Sequence, residues 1–414
     1  MLPTLVLSST LVLMPLLSVL IHGVDGFVCH SSSSRHGHQL FSETDSLISS
    51  IPPWYSSPAI GRDRSHVLSD DDVQRVLPLD TSRFLLVEDK RGMYHQEATQ
   101  SGSTAPLLLT FDKTQTLLQD KYGASLLSPP TTADHTDDKN DCLRLLAWVG
   151  KLEDIDYWVV HLQHDEELPT LVADNVLIDQ IDGSVHDGSS TPDMTIEAKP
   201  LREFGDRLSS GTDAAILATA NGLVEFHKSH GFCSICGSPT APQKAGSSRK
   251  CVGCRASVYP RIDVASIMLI TTRCKQYALL GRKASWPEGR YSTLSGFAEV
   301  GETLEQCCVR ETLEESGVHV DIGTVQFVCS QPWPFPRSLM IGFRGEVTDA
   351  GLPDINVDET ELEDVRWFKK DYVASRLEGG STALSYNPTD SEKEFHIPGK
   401  ASLARILIRS WALE

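Results

Sequence analysis

The sequence predicts an α+β protein, and three patterns within its 414 residues support this fold class. Apolar runs typical of strands (RFLLVED, APLLLTFD and YWVVHLQ) alternate with polar, turn-rich stretches between residues 66 and 225. Two closely spaced pairs of cysteines follow at residues 233–254, and a helix rich in glutamate begins near Thr303. We therefore expect an N-terminal α+β domain, a small cysteine-rich module and a C-terminal domain that carries the glutamate helix.

Residues 1–26 predict a signal or targeting segment. Residues 2–21 are almost wholly apolar, and small residues near Gly23 and Gly26 offer a cleavage region. Residues 27–65 are rich in Ser and Pro and contain no acidic residue before Glu43, which is typical of a transit-like segment or a linker. The pair resembles the two-part signal of plastid-targeted proteins, so we expect entry into the secretory pathway and a plastid as one possible destination.

Removal of this signal would leave no stable membrane association. The C-terminal residues WALE differ from the SKL-type peroxisomal signal.

Residues 66–228 form the expected N-terminal α+β domain, and no motif within them indicates chemistry. The helical pattern DAAILATANGLVEFHKSH at residues 213–230 leads directly into the first cysteine pair.

The balance of charge excludes one class of function. With 37 Lys and Arg against 56 Asp and Glu, the formal net charge is −19, which argues against nonspecific nucleic-acid binding through a broad basic face. The six cysteines outside the two close pairs are scattered and do not resemble a disulfide framework, so a reducing compartment is favoured.

Residues 229–258 predict a zinc ribbon. Two CxxC pairs separated by fourteen residues can each place two sulfurs on one cation, and together they complete a tetrahedral shell of thiolates. Such a closed shell makes the single Zn²⁺ structural, and a redox role for the two pairs is the weaker alternative. Gly237 and Gly253 stand where the knuckles need backbone freedom. The ligands would be Cys233, Cys236, Cys251 and Cys254.

The glutamate helix predicts a second kind of metal site. Glu311 lies three and four residues before Glu314 and Glu315, so the three carboxylates project from one face and repel one another unless cations neutralise them. Glu302 can join this acidic edge from upstream, and Arg310 can pair with one of the carboxylates. Oxygen clusters of this kind suit more than one Mg²⁺ or Mn²⁺. An acidic, solvated helix face is the alternative.

A rigid aromatic loop follows the helix. Three prolines restrict the segment SQPWPFPRSLM at residues 330–340 and would hold Trp333 and Phe335 in fixed orientations. Such a platform suits stacking of a planar base or nicotinamide ring, and a partly buried structural loop is the alternative.

Residues 296–318, GFAEVGETLEQCCVRETLEESGV, match the pattern G-x5-E-x7-R-E-U-x-E-E-x-G-U, where U is apolar, and so resemble the Nudix hydrolase box. The one departure is Thr312 at an apolar position. SQPWPFPxS resembles the signature of the NADH pyrophosphatase (NAD diphosphatase) subfamily, and YPRID, ELEDVRWF and IPGKASLARILI give further local matches. The resemblance implies a Nudix α/β/α sandwich over residues 259–414, a preceding zinc ribbon and a Nudix-like N-terminal domain.

The resemblance also implies a role for each matched position. Glu311, Glu315 and Glu361 would be the principal ligands of Mg²⁺ or Mn²⁺, assisted by Glu314 and Glu302. Arg310 would orient a glutamate, and Glu311 or Glu314 would be the general base. The residues expected to contact substrate are Tyr259, Phe297, Gln331, Pro332, Trp333, Pro334, Phe335, Pro336, Arg337, Ser338, Ala404 and, from the first domain, Arg202.

Together these features predict an enzyme that uses metal-activated water to hydrolyse the pyrophosphate bond of NADH or NAD⁺, with AMP and NMNH or NMN as products. Removal of NAD caps from RNA uses the same bond and stays open. Hydrolysis of ADP-ribose, coenzyme A or another nucleoside-diphosphate compound is disfavoured by the aromatic loop. A non-catalytic nicotinamide-nucleotide sensor is the alternative of a different class. A homodimer is implied by the resemblance alone.

Overall fold

The computed structural model describes residues 55–67, 69–98, 102–127, 143–177, 194–378 and 395–414. The expected targeting segment at 1–26 and residues 27–54 lie outside the described residues. Among the helices that are described, none is long and apolar enough to cross a membrane. The eight cysteines within these ranges are all free thiols.

The described N-terminal region folds around a seven-stranded sheet in the order β3-β2-β1-β6-β5, with β4 on β1 and β7 on β2. The β1–β6 pair is parallel, and the other pairs of this sheet are antiparallel. The strands are β1 Ser82–Glu88, β2 Gly92–Ala98, β3 Thr104–Pro106, β4 Leu108–Leu109, β5 Leu143–Leu152, β6 Ile155–Leu162 and β7 Met194–Lys199. The helices are α1 Asp70–Val76, α2 Phe111–Tyr122, α3 Leu168–Leu177, α4 Leu201–Phe204 and α5 Gly211–Ser229.

Apolar side chains point to both faces of this sheet in alternation along its strands, and helices pack on both faces. In β1, Leu85 and Val87 pack with α5, whereas Phe84 and Leu86 pack with α1, α2 and α3. Residues 55–65, which the sequence places in a transit-like segment or linker, also contribute to the core: Tyr55 and Ile60 are 4% and 5% exposed and belong to the cluster that contains α5.

A three-stranded antiparallel ribbon follows α5, with β8 Thr240–Gln243, β9 Ser248–Cys251 and β10 Ser257–Val258 in the order β10-β9-β8. His227 of α5 joins the two elements: its Nε2 donates to the Gly246 carbonyl at 2.8 Å, and its Nδ1 accepts from Nη1 of Arg249 at 2.6 Å. Burial lowers the pKa of His227 to about 3, so the ring is neutral.

The described C-terminal region is an α/β/α sandwich, as expected. Its sheet runs β14-β15-β11-β12-β16, with β13 on β11, and the central β11–β15 pair is parallel. Ile267 and Leu269 of β11 pack with α8, while Met268 and Ile270 pack on the face that carries α6. The elements are β11 Asp263–Thr271, β12 Tyr277–Arg282, β13 Leu294–Phe297, α6 Leu304–Ser316, β14 Val320–Trp333, β15 Ser338–Val347, β16 Asp364–Lys369, α7 Lys370–Glu378 and α8 Leu403–Ala412.

Hydrogen bonds between described residues connect the N-terminal domain to the sandwich. Asp206 Oδ1 accepts from the Ala401 amide at 2.7 Å, just before α8. Lys400 Nζ donates to the Leu208 carbonyl at 2.8 Å, and Asn221 Nδ2 donates to the Pro334 carbonyl at 2.7 Å. These contacts hold the aromatic loop and the start of α8 against the first domain.

Candidate active site

Helix α6 begins directly after Thr303, as the sequence predicts, and ends at Ser316. The Gln306 amide donates to Thr303 Oγ1 at 3.2 Å, and the Thr303 amide donates to Gln306 Oε1 at 2.9 Å, which completes a capping box. Gly317 has φ 70° and its amide donates to the Leu313 carbonyl at 2.8 Å, so glycine supplies the left-handed C-terminal residue. Thr312 is fully buried, and its hydroxyl donates to the Cys308 carbonyl at 2.7 Å, which satisfies the one polar group in this apolar position.

Arg310 organises the glutamates of the helix. Its Nε donates to Glu302 Oε1 at 2.8 Å, and its Nη1 donates to Glu311 Oε1 at 2.8 Å and to Glu314 Oε2 at 2.9 Å. Its Nη2 donates to the Phe297 carbonyl at 2.9 Å. The guanidinium lowers the pKa of Glu302. One arginine therefore positions three carboxylates against strand β13.

Glu315 is the buried carboxylate of this cluster. It is 3% exposed, and its Oε2 has no hydrogen-bond partner among the described residues. Burial, together with the charges of Glu311 and Glu361, raises its pKa to about 8, and Lys283 opposes this shift. A buried carboxylate oxygen without a partner, beside other carboxylates, suits a hard divalent cation. The residues present fit the metal site that the sequence predicts.

A cavity of about 580 Å³ connects Glu315 to the aromatic loop. Trp333 and Phe335 meet edge to face with ring centroids 5.1 Å apart, and Tyr55 packs edge to face on Phe335 at 5.7 Å. Five of the substrate residues expected from the sequence line this cavity: Arg202, Phe297, Gln331, Trp333 and Phe335.

Gln331 braces the cavity wall. Its Nε2 donates to the Ala401 carbonyl at 3.1 Å, and its Oε1 accepts from the Leu403 amide at 2.8 Å. This fully buried amide ties β14 to the start of α8.

The other expected substrate residues lie elsewhere. Pro334 and Pro336 line a second cavity of about 360 Å³, on the side of the loop that faces the first domain. Ala404 is 1% exposed within the core, and its neighbours Ala401, Ser402 and Leu403 line the first cavity instead. Tyr259 is 62% exposed, and neither it nor Pro332, Arg337 or Ser338 lines either cavity.

Five charged or aromatic residues of the first cavity are absent from the sequence-based expectation: Tyr55, Asp206, Lys283, Trp286 and Arg290. The guanidinium of Arg290 lies over the Trp286 ring, 5.5 Å from its centroid. Trp286, Pro287 and Glu288 form a turn-prone run, which is only a weak indication in the sequence that this segment contributes to a site. Tyr55 and Asp206 carry no such signal because the first domain supplies them from outside the motif-bearing half.

The four cysteines of the ribbon converge. Their sulfurs all lie within 4.8 Å of one another, with Cys233 to Cys254 at 3.7 Å and Cys236 to Cys251 at 3.4 Å. Zn–S bonds of about 2.3 Å in a tetrahedron place sulfurs roughly 3.8 Å apart, so the set fits one structural zinc. Gly237 has φ +73°, and a Cβ on Gly253 would lie 2.5 Å from Ser238 Oγ, as the tight knuckles require.

Comparison with known proteins agrees with this geometry. Residues 260–383 match the NUDIX domain model, and residues 228–259 match the NADH pyrophosphatase zinc ribbon domain model. The chain is 38% identical over 223 residues to the NAD-capped RNA hydrolase NudC of Mycobacterium bovis, covering 53% of this chain and 67% of that protein.

Two animal proteins are also similar. The mitochondrial NAD(P)H pyrophosphatase NUDT13 of Homo sapiens is 38% identical over 228 residues, which cover 53% of this chain and 62% of that protein. The NAD-capped RNA hydrolase NUDT12 of Macaca fascicularis is 36% identical over 211 residues, which cover 48% of this chain and 42% of that protein.

Proposed function

This chain belongs to the Nudix hydrolases that carry an NADH pyrophosphatase zinc ribbon, and from that premise we propose that it hydrolyses the pyrophosphate bond of NADH or NAD⁺. The products would be AMP and NMNH or NMN. The relatives named as an NAD(P)H pyrophosphatase and as NAD-capped RNA hydrolases act on substrates that share this bond.

One observation carries the proposal: the buried carboxylate of Glu315 and the aromatic pair of Trp333 and Phe335 line the same cavity. A dinucleotide has a polyanionic centre and a planar ring at each end. Its pyrophosphate therefore fits beside the glutamates while one ring packs against the aromatic side chains.

Glu311, Glu315 and Glu361 would hold the Mg²⁺ or Mn²⁺ ions, with Glu302 and Glu314 at the edge of the site. Bound there, such ions would neutralise the pyrophosphate charge and lower the pKa of the attacking water. Burial is the main cause that raises the pKa of Glu311 and of Glu315, and the charge of the exposed Glu361 adds to the rise in both, which supports a shared site.

The chain's own residues supply positioning and proton transfer. Arg310 fixes Glu302, Glu311 and Glu314 by hydrogen bonds of 2.8–2.9 Å, so these carboxylates do not reorganise when substrate enters. Glu311 or Glu314 would accept a proton from the attacking water, because both carboxylates belong to the cluster that would hold the metal ions. Lys283, Arg202 and Arg290 place three cations around the cavity of a protein with net charge −19.

Product analysis tests the proposal. The purified full chain would be incubated with NADH, NAD⁺, ADP-ribose or coenzyme A and Mn²⁺, and the nucleotides separated by chromatography. We expect AMP together with NMNH or NMN. Preferential cleavage of ADP-ribose or coenzyme A would contradict the assignment, and binding of NADH without turnover would favour the sensor.

Removal of NAD caps from RNA is the second candidate, because two of the similar proteins are named for it. Comparing kcat/KM for free NADH with that for an NAD-capped transcript separates the two. A far higher value on the transcript would make RNA the substrate.

Partners and compartment complete the proposal. The exposed apolar residues Tyr259, Ile262, Phe297 and Val300 on and around β11 and β13 support a homodimer, which light scattering would test.

The apolar run at residues 2–21 and the Ser-rich stretch after it support a bipartite plastid signal. A fluorescent fusion that loses its compartment when residues 1–26 are deleted would support that localisation.

A further inference from the structure

A cluster of three metal-ligating side chains lies in the N-terminal sheet. His95 and Glu97 belong to β2, and Glu197 belongs to β7, the antiparallel neighbour, where it stands directly opposite His95. Because side chains alternate along a strand, residues 95 and 97 share a face, and the cross-strand partner of residue 95 projects from that same face.

The ligand atoms of the three residues converge. One ring nitrogen of His95 and one carboxylate oxygen from each glutamate all lie within 4.8 Å of one another. The burial of His95 gives independent support for a ligand at this position. This side chain is 0% exposed, and its Nε2 has no hydrogen-bond partner among the described residues. A buried polar atom without a partner is rare in folded proteins because its lost hydration is not replaced.

We propose that His95, Glu97 and Glu197 bind one divalent metal ion such as Zn²⁺ or Mn²⁺. Imidazole nitrogen together with two carboxylates suits such borderline ions, and three protein ligands leave one position for water or an exogenous group. This site is separate from both the glutamates of α6 and the cysteines of the ribbon.

Two basic side chains pair with the carboxylates of this cluster. Lys199 Nζ pairs with Glu197, and Arg207 Nη2 lies 3.4 Å from Glu97 Oε2. Both side chains are about two-fifths exposed, at 38% and 40%, so each can move into solvent when a metal ion arrives. Ion pairs at this level of exposure contribute little to stability, so they lower the affinity for a metal ion by no more than several-fold.

The site would brace the wall of the substrate cavity. The His95 ring stacks on Phe204 of α4 with centroids 4.1 Å apart and planes 5° from parallel. Phe204 lies two residues after Arg202 and two residues before Asp206 in the sequence, and both of these residues line the cavity. A cation on His95 would hold this ring in place and so restrain the segment that carries Arg202 and Asp206.

Zinc binding to the full chain tests the proposal. The number of Zn²⁺ ions bound would be measured by equilibrium dialysis and elemental analysis for a parent carrying Glu311→Gln and Glu315→Gln, which weakens the Nudix site. We expect His95→Gln and, separately, Glu97→Gln to lose one Zn²⁺ per chain. His319→Gln should lose none, because His319 is an exposed histidine outside the cluster.

A second measurement does not depend on ligand removal. Lys199→Met removes the competing cation from Glu197 and should tighten Zn²⁺ binding several-fold at this site, seen by calorimetry and as a larger rise in Tm with added Zn²⁺. Equal Zn²⁺ content in the parent and both ligand variants would overturn the proposal. An unchanged affinity in Lys199→Met would also overturn it.

Discussion

A Cβ on residue 296 would lie only 1.8 Å from the carboxyl carbon of Glu311. Gly296 is therefore required by close approach: the backbone of β13 passes directly beneath the carboxylate, and an added methyl group would displace it. Arg310 donates to Glu311 on one side and to the Phe297 carbonyl on the other, so the strand and the helix form one rigid support for the metal ligands.

Gly296→Ala should therefore reduce catalysis without unfolding the protein. A displacement of Glu311 by about 1 Å would lower kcat/KM for NADH by roughly 100-fold. Gly222→Ala is a matched control, because a Cβ at that helical position meets nothing within 4 Å. Equal activity of the two variants would show that the position of Glu311 does not matter.

Arg310→Lys should lower kcat for NADH hydrolysis by about 10- to 100-fold, even though it preserves the charge. A compact ammonium group does not reproduce the guanidinium fork that reaches Glu302, Glu311 and Glu314 together. The rate would be followed across Mn²⁺ concentrations, with Arg344→Lys on β15 as the control. Full activity in the lysine variant would mean that charge alone is sufficient.

Trp333→Ala should weaken recognition of the dinucleotide. Loss of one aromatic contact with a base is worth about 1–3 kcal/mol, which corresponds to roughly a 5- to 150-fold fall in kcat/KM for NADH. Phe327→Ala removes an aromatic side chain that is 61% exposed and outside the cavity, and should leave kcat/KM unchanged. The idea fails if the two variants lose activity equally.

His227 should make stability depend on pH. Its pKa is about 3 in the folded protein against 6.5 for an unperturbed histidine, so the unfolded chain binds an extra proton between these values. The free energy of unfolding therefore falls as pH drops below 6.5, by about 2 kcal/mol between pH 7 and pH 5.

His227→Gln keeps an acceptor for Arg249 and a donor for Gly246 but has no group that titrates in this range. Urea unfolding of both proteins at pH 7 and pH 5 should show the smaller loss in the variant. A matching loss in both would exclude His227 as the source.

Helix α6 and the cysteine knuckles could be predicted because local chemistry determines them. Thr303, Gln306 and Gly317 set the helix ends, and paired cysteines at short spacing have few other uses. The run APLLLTFD, which the sequence predicts as a strand, was not predicted correctly over its whole length. It splits into β3, β4 and the first turn of α2, because the residue after Thr110 begins a helix and not a strand.

The cavity could be predicted only in part. Glu315, Trp333 and Phe335 come from motifs in the C-terminal half, but Tyr55 and Asp206 reach the same space through packing between domains. Contacts between residues so far apart in sequence depend on tertiary structure and leave no periodic or compositional signal. Burial of Ala404 has the same origin, because the face that α8 presents to the core is set by its partners.

Turnover of NADH by Glu315→Gln tests the central claim most directly. The amide is nearly isosteric but carries no charge to hold a divalent cation, so Mn²⁺-dependent AMP release should fall about 1000-fold or more. Zinc in the ribbon should be unchanged. The metal-free protein should lose no thermal stability, because burial raises the pKa of Glu315 to about 8, so a largely neutral carboxyl is replaced by a neutral amide at pH 7. Retained AMP release by this variant would contradict the assignment of the glutamate cluster as the catalytic metal site.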